Sequence, residues 1–448
     1  MRNNHLWIGG IGILALLALP PLISSGVPPA SKANKQPTAT ERVIYSFTGG
    51  ADGASPASDL ILDGPGNLYG TTEGGGTGTA CTDGCGTVFE LKRTQSGWNE
   101  QVLYSFQGGK DGALPGAGLI FDSAGNLYGT TSSNFGSECG TVFKLAPNGK
   151  GGWTESVLYS FDCKGSAGLY PSSDLVFDSQ GNLYGTASQG GGGKCNVFFG
   201  YTCGAVFELT PQSNGSWTES TLHQFAGPPN DGGYPLSGVV LDSAGNVYGM
   251  TFAGGTGTCE VRGYLGCGFV YKLTPSHGGW TETQIYVFPR GGGFARNPSS
   301  ALILDKDGDL AGASQFGGDG FGTVFQLRPS QGKLWDQSVL YRFYGPDGLY
   351  PNGKLAMDAQ GNLFGVTDQG GTGASFSGTV FELERPKAGR WRERVLHSFV
   401  GGNDGAFPSA GPVLDGQGHL YGTTFQGGTG TLCNSNNLGC GTVYEVTP

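Results

Sequence analysis

The cysteines carry the most definite chemistry in this sequence of 448 residues. There are ten, and eight of them stand in close pairs along the chain. Paired cysteines form disulfides in exported proteins or, as thiolates, bind zinc. Zinc sites usually combine two short pairs, whereas these spacings vary and each pair stands in a different part of the sequence. The pattern therefore favours disulfides within the pairs Cys81 and Cys85, Cys195 and Cys203, Cys259 and Cys267, and Cys433 and Cys440.

The histidines and carboxylates offer no catalytic arrangement. His223 and His397 stand where equivalent segments have Tyr, and His419 stands where they have Asn. This scatter gives no Ser–His–Asp or Cys–His constellation. Most carboxylates recur at regular intervals as turn residues, whereas a catalytic pair should be a singular feature. We therefore predict no catalytic residue, no bound metal and no cofactor.

Two segments resemble ligand-binding loops in part. A phosphate-binding loop needs G-x4-G-K-[ST] between a strand and a helix. In residues 188–195, Ser188 takes the first Gly position and Cys195 takes the Ser/Thr position. Residues 305–309, DKDGD, resemble a calcium loop without its downstream glutamate. We interpret both segments as parts of hairpins.

All these residues belong to seven copies of one phrase, clearest in residues 118–145, GLIFDSAGNLYGTTSSNFGSECGTVFKL, and in the tail at 153–161, WTESVLYSF. Each copy contains four short runs rich in β-branched and aromatic residues, without helical periodicity. Asp-x-x-Gly-Asn separates the first two runs, where Asp opens a turn and Gly supplies a positive φ. A spacing of roughly 55–65 residues is typical of large propeller blades.

The phase of the repeat predicts a closed ring. Residues 43–47 form a run of the fourth type that precedes every run of the first type, and the last copy ends after its third run, residues 441–446. A four-stranded sheet cannot bury both faces alone, so the copies must stack. We predict an all-β fold: a single domain over residues 42–448 that is a seven-bladed β-propeller of four-stranded antiparallel blades, closed by the N-terminal strand.

The two remaining cysteines can meet in that fold. Cys139 lies in the loop between the second and third strands of blade two, and Cys163 lies in the connection from blade two to blade three. In an up-and-down blade these two loops emerge on the same face. We therefore predict a fifth disulfide between Cys139 and Cys163.

Varied side chains precede a Pro in each blade-to-blade connection, near the predicted mouth of the central channel. Four of them are aromatic, and arginines enter the divergent fifth connection. Rings on a rigid scaffold suit stacking against sugar or peptide, and guanidinium groups suit acidic substituents. The alternative is that the rings pack between blades. The candidate ligand-binding residues are Tyr170, Tyr234, Tyr350, Phe407, Arg290 and Arg296.

Composition and the N-terminus indicate export. Charged residues are 13% of the chain and its formal net charge is −10 without a basic stripe, so we expect no nucleic-acid partner. Residues 1–33 are typical of a signal peptide, with an uncleaved membrane anchor as the alternative, and residues 34–41 are a polar leader. We predict a monomeric mature chain without a membrane span that is secreted, periplasmic or on the cell surface.

The phrase GNLYGTT…GTVFKL…LYSF resembles the tandem GloVer (Gloeobacter–Verrucomicrobia) repeat of exported bacterial proteins over residues 42–448. The resemblance implies an extracytoplasmic repeat domain and supplies no activity or catalytic residue. Our first hypothesis is a non-enzymatic binding or scaffolding propeller for a glycan, a peptide or an envelope component. The alternative is an extracellular polysaccharide hydrolase or lyase, which a singular buried acid pair or a metal site on one face would favour.

Overall fold

The computed structural model describes residues 39–133, 138–163, 168–195, 202–261, 263–291, 293–318, 320–332, 334–373, 376–433 and 438–448. Within these ranges the protein consists of strands and one short 3-10 helix, Gly402–Asp404. The predicted signal peptide, residues 1–33, lies outside them. No helix in the described ranges has the length and apolar character that crossing a membrane requires. The predicted all-β class is confirmed.

The chain opens with β1 (Thr40–Ser46), which belongs to the last blade. The next three blades follow in chain order. Blade one contains β2 (Ile61–Leu62), β3 (Leu68–Thr72), β4 (Thr87–Thr94) and β5 (Gly97–Ser105); blade two contains β6 (Ile120–Phe121), β7 (Leu127–Thr131), β8 (Glu138–Pro147) and β9 (Trp153–Asp162); blade three contains β10 (Leu169–Pro171), β11 (Val176–Phe177), β12 (Leu183–Gln189), β13 (Ala205–Pro211) and β14 (Trp217–Gln224).

Blades four to six continue the pattern, and two short ladders, β15 with β18 and β19 with β20, accompany blade four. Blade four contains β15 (Gly232–Gly233), β16 (Val240–Leu241), β17 (Val247–Thr251), β18 (Ala253–Gly254), β19 (Glu260–Val261), β20 (Tyr264–Leu265), β21 (Phe269–Ser276) and β22 (Gly279–Val287); blade five contains β23 (Ala295–Pro298), β24 (Ile303–Leu304), β25 (Leu310–Gly317), β26 (Thr323–Arg328) and β27 (Asp336–Arg342); blade six contains β28 (Leu349–Met357), β29 (Leu363–Gln369), β30 (Thr379–Glu384) and β31 (Arg392–Ser398).

The N-terminal strand closes the ring, as predicted. Blade seven contains β32 (Val413–Leu414), β33 (Leu420–Thr424) and β34 (Thr442–Thr447), and β1 completes it in the order β1-β34-β33-β32. The β1–β34 ladder is antiparallel, from Thr40 opposite Thr447 to Ser46 opposite Thr442. It begins two residues before the domain boundary that the sequence predicts. The seven-bladed, four-stranded architecture is confirmed.

The repeated turn Asp explains the hairpin between the first two strands of each blade. Asp63 accepts hydrogen bonds from the main-chain amide and side-chain Nδ2 of Asn67, at 2.7 and 2.8 Å. Asp305 accepts from the amides of Asp307 and Asp309, both at 2.9 Å. Residues 305–309 therefore form the same turn, in agreement with the hairpin interpretation.

Aromatic pairs form the core between blades. The Phe of each fourth strand packs against the Phe or Tyr of the third strand in the next blade, with ring centroids 5.1–5.3 Å apart. These rings are completely buried. Because the pairs run in one direction around the ring, Phe47, which directly follows β1, supplies the pair between the last blade and the first. The pairs are Phe47–Phe89, Phe106–Phe143, Phe161–Phe207, Phe225–Tyr271, Phe288–Phe325, Phe343–Phe381 and Phe399–Tyr444.

All ten cysteines form disulfides, in the five pairs that the sequence predicts. The four local bonds each close a loop between the second and third strands of a blade. The fifth, Cys139–Cys163, has its Cα atoms 5.0 Å apart and joins the loop of blade two to the following connection. Such bonds persist in oxidising compartments, which agrees with an extracytoplasmic location. The local bonds are Cys81–Cys85, Cys195–Cys203, Cys259–Cys267 and Cys433–Cys440.

Candidate binding site in the central channel

One position in the innermost strand region differs sharply between blades. It lies four residues before the turn Asp of each copy. Four blades carry Gly or Ala there, two carry Asp, and one carries Lys. This is the variation expected of a site, because the residues that build the blades recur while these do not. From blade one to blade seven the residues are Asp59, Gly118, Asp174, Gly238, Ala301, Lys354 and Gly411.

The two aspartates are held by main-chain amides of neighbouring blades. Gly411 donates to Asp59 Oδ1 at 2.5 Å, and Gly118 donates to Asp174 Oδ1 at 2.6 Å. The two carboxyl groups also lie within hydrogen-bonding reach of each other. Blades one and three thus direct their carboxyls to a common point beside blade two.

Glycine at the intervening position makes this approach possible. A Cβ atom on Gly118 would lie 2.8 Å from Asp174 Oδ1, closer than a real Cβ contact. A Cβ on Gly238 would lie 2.8 Å from the Asp174 carbonyl oxygen. Neither glycine has a positive φ, so the requirement is for space and not for backbone conformation. The small residues around Asp174 are therefore part of the site.

Burial makes Asp59 a weak acid. Desolvation, together with the nearby charge of Asp174, raises the pKa of Asp59 to about 8, whereas the Lys354 ammonium and the Gly411 amide act in the opposite direction. Asp59 and Asp174 are only half-buried at the surface of the lumen, but the blades surround them. Asp59 therefore releases its proton less readily than an ordinary carboxyl, and its protonated form can donate a hydrogen bond within the pair or to a ligand.

These groups lie on a cavity of about 630 Å³ in the central channel. Its walls are mainly apolar and come from the inner strands of five blades, with Ile61, Ile120 and Val176 among them. Asp59, Asp174 and Lys354 are the charged side chains on its lining. A cavity of this size with a few convergent polar groups is typical of a small-molecule site.

The residues predicted from sequence lie elsewhere. The four aromatics belong to the position before Pro, where every blade has a positive φ between 49° and 58°. The amide of Tyr234 donates to Cys203 O at 2.8 Å, and that of Phe407 donates to Ser377 O at 2.9 Å, so at these two positions the main chain binds the connection to the preceding blade. Tyr234 is 3% exposed, whereas Tyr170, Tyr350 and Phe407 are half-buried.

The two arginines are more accessible. Arg290 is exposed, with Nη1 3.4 Å from the Thr258 hydroxyl, and Arg296 is half-buried on β23. None of the six predicted ligand contacts is on the described lining of the channel cavity. Their role in binding stays a prediction.

Sequence reasoning overlooked Asp59, Asp174 and Lys354. The signal was present, because alignment of the seven copies on the turn Asp shows small residues in four copies and charged residues in three. The prediction treated carboxylates as turn residues because most of them are. These two do not occupy the turn position.

A second set of buried carboxyls lies at the outer seams, where fourth strands of adjacent blades meet. At the seam between blades one and two, Tyr104 donates to Asp111 at 3.1 Å, and Glu155 of the next blade lies beside them. Burial raises the pKa of Glu155 to about 7. Equivalent glutamates stand in six of the seven fourth strands: Glu41, Glu100, Glu155, Glu219, Glu282 and Glu393, with Gln337 in blade five.

Comparison with known proteins identifies the repeat. No curated protein matches the sequence. Solved structures of similar fold include an oxidoreductase of the glucose dehydrogenase type from Thermus thermophilus, with 15% identity, a TM-score of 0.42, and coverage of 91% of this chain and 100% of that one. The extracellular domain of a one-component system from B. thetaiotaomicron has 11% identity and a TM-score of 0.48, covering 90% of this chain and 39% of that one.

A luciferin-regenerating enzyme is a third structural neighbour, with 14% identity, a TM-score of 0.39, and coverage of 74% of this chain and 90% of the other. These distant likenesses concern the fold alone. The family model of the Gloeobacter/Verrucomicrobia repeat matches residues 32–199 and 195–444, which together span almost the whole sequence. The chain belongs to the Gloeobacter/Verrucomicrobia repeat family.

Proposed function

We propose that this protein is an exported binding propeller that holds a small ligand in its central channel. The observation that carries the proposal is the Asp59–Asp174 pair. Asp occupies this position in two blades, whereas the other five blades have Gly, Ala or Lys there. Each carboxyl is fixed by an amide of a neighbouring blade, so the pair is preorganised before a ligand arrives.

The lining indicates the class of ligand. The apolar walls favour a compact ligand with an apolar body. Asp59, Asp174 and Lys354 favour hydroxyl or amino groups on the end of the ligand that contacts them. Asp59 can donate a hydrogen bond and Asp174 can accept one. Of the glycan, peptide and envelope ligands considered from sequence, a small envelope building block fits this channel better than a long glycan chain.

The test is a ligand screen with a matched pair of variants. Small cell-wall fragments and hydroxylated or amino-bearing metabolites are screened by thermal shift, and hits are measured by calorimetry. Asp174→Asn removes an ionisable group from the channel, whereas Asp83→Asn changes the same type of residue in an exposed loop. We expect Asp174→Asn to weaken binding at least tenfold and Asp83→Asn to leave it unchanged. Equal binding by both variants would place the ligand outside the channel.

A second candidate function uses the same residues for hydrolysis. The raised pKa of Asp59 beside a second carboxyl is the arrangement of a general acid with a general base. Asp174 would take a proton from water as the water oxygen attacks, and Asp59 would give its proton to the leaving group. Carboxyls this close can share one attacking water, as in a dyad that cleaves acyl bonds, whereas glycosidase carboxyls stand at least roughly 5 Å apart. Turnover of a small peptide or ester that disappears in both Asp59→Asn and Asp174→Asn would support this function. Binding without turnover would leave the first proposal standing.

A further inference from the structure

We propose that the seam between blades six and seven binds a divalent transition-metal ion, with His397, Asp404 and Glu41 as its ligands. His397 is on β31 of blade six, Asp404 is in the following connection, and Glu41 is on β1, the strand that closes the ring. One ligand atom from each residue can be chosen so that all three lie within 4.8 Å of one another. Imidazole with carboxylates is a donor set that suits zinc and its neighbours.

The distances suit a tetrahedral ion with an open position. His397 Nε2 is 3.0 Å from Asp404 Oδ1 and 4.0 Å from Glu41 Oε2. Ligands about 2.0–2.2 Å from zinc stand roughly 3.3–3.5 Å apart in a tetrahedron. The observed separations bracket that value, so small side-chain movements bring the three groups onto one ion.

The seam glutamate has a buried oxygen without a hydrogen-bond partner among the described residues, a feature shared with Glu100, Glu155, Glu282 and Glu393 at four other seams. The Glu41 side chain is 10% exposed, and its Oε1 has no hydrogen-bond partner among the described residues. Asp404 is fixed by the Val400 amide, which donates to Oδ2 at 2.6 Å and leaves Oδ1 facing His397. Two carboxyls therefore lie against one imidazole, and one divalent cation could take a donor atom from each of the three groups.

Five of the other six seams have Tyr where this seam has His397. At equivalent positions Tyr45, Tyr104 and Tyr341 donate their hydroxyl groups to an aspartate. Burial raises the pKa of Tyr45, so its hydroxyl stays protonated and is a poor metal ligand. The sixth, between blades three and four, has the same residue types, His223, Asp231 and Glu282, with His223 Nε2 3.4 Å from Asp231. It does not bring one ligand atom from each residue within 4.8 Å of one another. In the described part of the chain, only the group at the seam of blades six and seven brings three such ligand atoms together.

The place of the ion gives it a structural role. Glu41 comes from the N-terminal strand, whereas His397 and Asp404 come from the blade before it in the ring. A bound ion would therefore tie the closing strand to blade six, in addition to the β1–β34 ladder. Ring closure would then depend partly on metal.

Two variants test the site with residues that the repeat already uses. His397→Tyr restores the usual side chain of the fourth strand, and Glu41→Gln copies Gln337 of blade five. His223→Tyr is the matched control at the other His-containing seam. The purified exported chain is stripped with a chelator and titrated with zinc sulfate, while bound metal and the thermal midpoint are measured.

We expect about one zinc ion per chain and a midpoint that rises with zinc. His397→Tyr and Glu41→Gln should each lower zinc affinity more than tenfold while folding normally, and His223→Tyr should behave like the natural chain. The proposal is overturned if zinc neither binds nor shifts the midpoint, or if His397→Tyr and Glu41→Gln keep the full effect.

Discussion

The channel and the outer seams both bury carboxyl groups, but they distribute them differently around the ring. In the channel, Asp59 and Asp174 are exceptions to a position that is small in most blades. At the seams, a glutamate recurs in six blades and meets an aspartate and a Tyr or His from the preceding blade. In a repeat protein, a residue that recurs is part of the construction, whereas one that departs from the repeat, such as Asp59 and Asp174 in the channel or His397 at a seam, marks a candidate site.

Both regions tolerate buried carboxyls because those carboxyls hold their protons more readily than usual. A seam glutamate lies beside a Tyr or His and an aspartate of the preceding blade, and burial raises its pKa. The channel pair brings two carboxyl groups together, which the fold tolerates because the raised pKa of Asp59 favours its neutral form and amides of blades two and seven support the carboxyls. Groups that oppose stability are the ones expected to serve binding or catalysis.

The largest effect should follow from removing the strand that closes the ring. Deleting residues 40–47 removes β1, exposes the edge of β34 and eliminates the Phe47–Phe89 pair. An open propeller presents an unpaired edge, so we expect loss of cooperative unfolding and aggregation. Circular dichroism melts and light scattering measure both.

The control for that deletion lacks residues 1–38 and keeps β1. It should melt cooperatively, because every described strand is retained. If the chain without residues 40–47 melts at the same temperature as this control, ring closure contributes nothing to stability.

The seams should make stability depend on pH. Burial and the adjacent aspartates raise the pKa of Glu100 and Glu155 from 4.5 to about 7, and that of Glu393 to about 8. An acid with a raised folded-state pKa binds more protons when folded, so its stabilising effect is full below about 4.5 and is lost as pH rises through 7 to 8. We expect the thermal midpoint to fall by several degrees from pH 5 to pH 8.

Neutral replacements sharpen this prediction. The triple variant Glu100→Gln, Glu155→Gln and Glu393→Gln should show a flatter pH profile, because Gln does not titrate. Blade five already carries Gln337, which accepts from the Tyr286 hydroxyl at 2.9 Å, so the substitution suits the seam. An unchanged slope in the triple variant would assign the pH dependence to other groups.

The smallest change in stability should come from the channel. Asp59→Asn and Asp174→Asn each leave one ionisable carboxyl where there were two, while the Asn oxygen can still accept from the same amide, so we expect an unchanged or slightly higher midpoint. At a seam, the Tyr341 hydroxyl donates a hydrogen bond to Asp347 at 2.7 Å. Tyr341→Phe removes this donor and should lower the free energy of unfolding by about 1–2 kcal/mol. Denaturant titration of these variants compares the two regions. A channel variant as destabilised as Tyr341→Phe would make the aspartates structural.

The repeat allowed the fold to be predicted almost completely. The hydrophobic pattern predicted the strands, and the Asp-x-x-Gly-Asn turns predicted the hairpins. The position of β1 within the repeat predicted that it closes the ring. The Cys139–Cys163 bond followed from the face on which two loops emerge. The candidate site did not follow, because the prediction placed it on Tyr170, Tyr234, Tyr350 and Phe407, whose connections fasten one blade to the next. Whether those rings also contact a ligand is a question for the same binding screen.

The sequence by itself determined the number of blades, the order of their strands and the pairing of the cysteines, because each depends on local pattern and on the phase of the repeat. Only the tertiary structure decided that Asp59 meets Asp174 across the glycine of blade two, and that Glu41 meets His397 across the closure. Those contacts depend on the radius of the ring and on which side chains are small enough to let others approach, and distance along the chain gives neither.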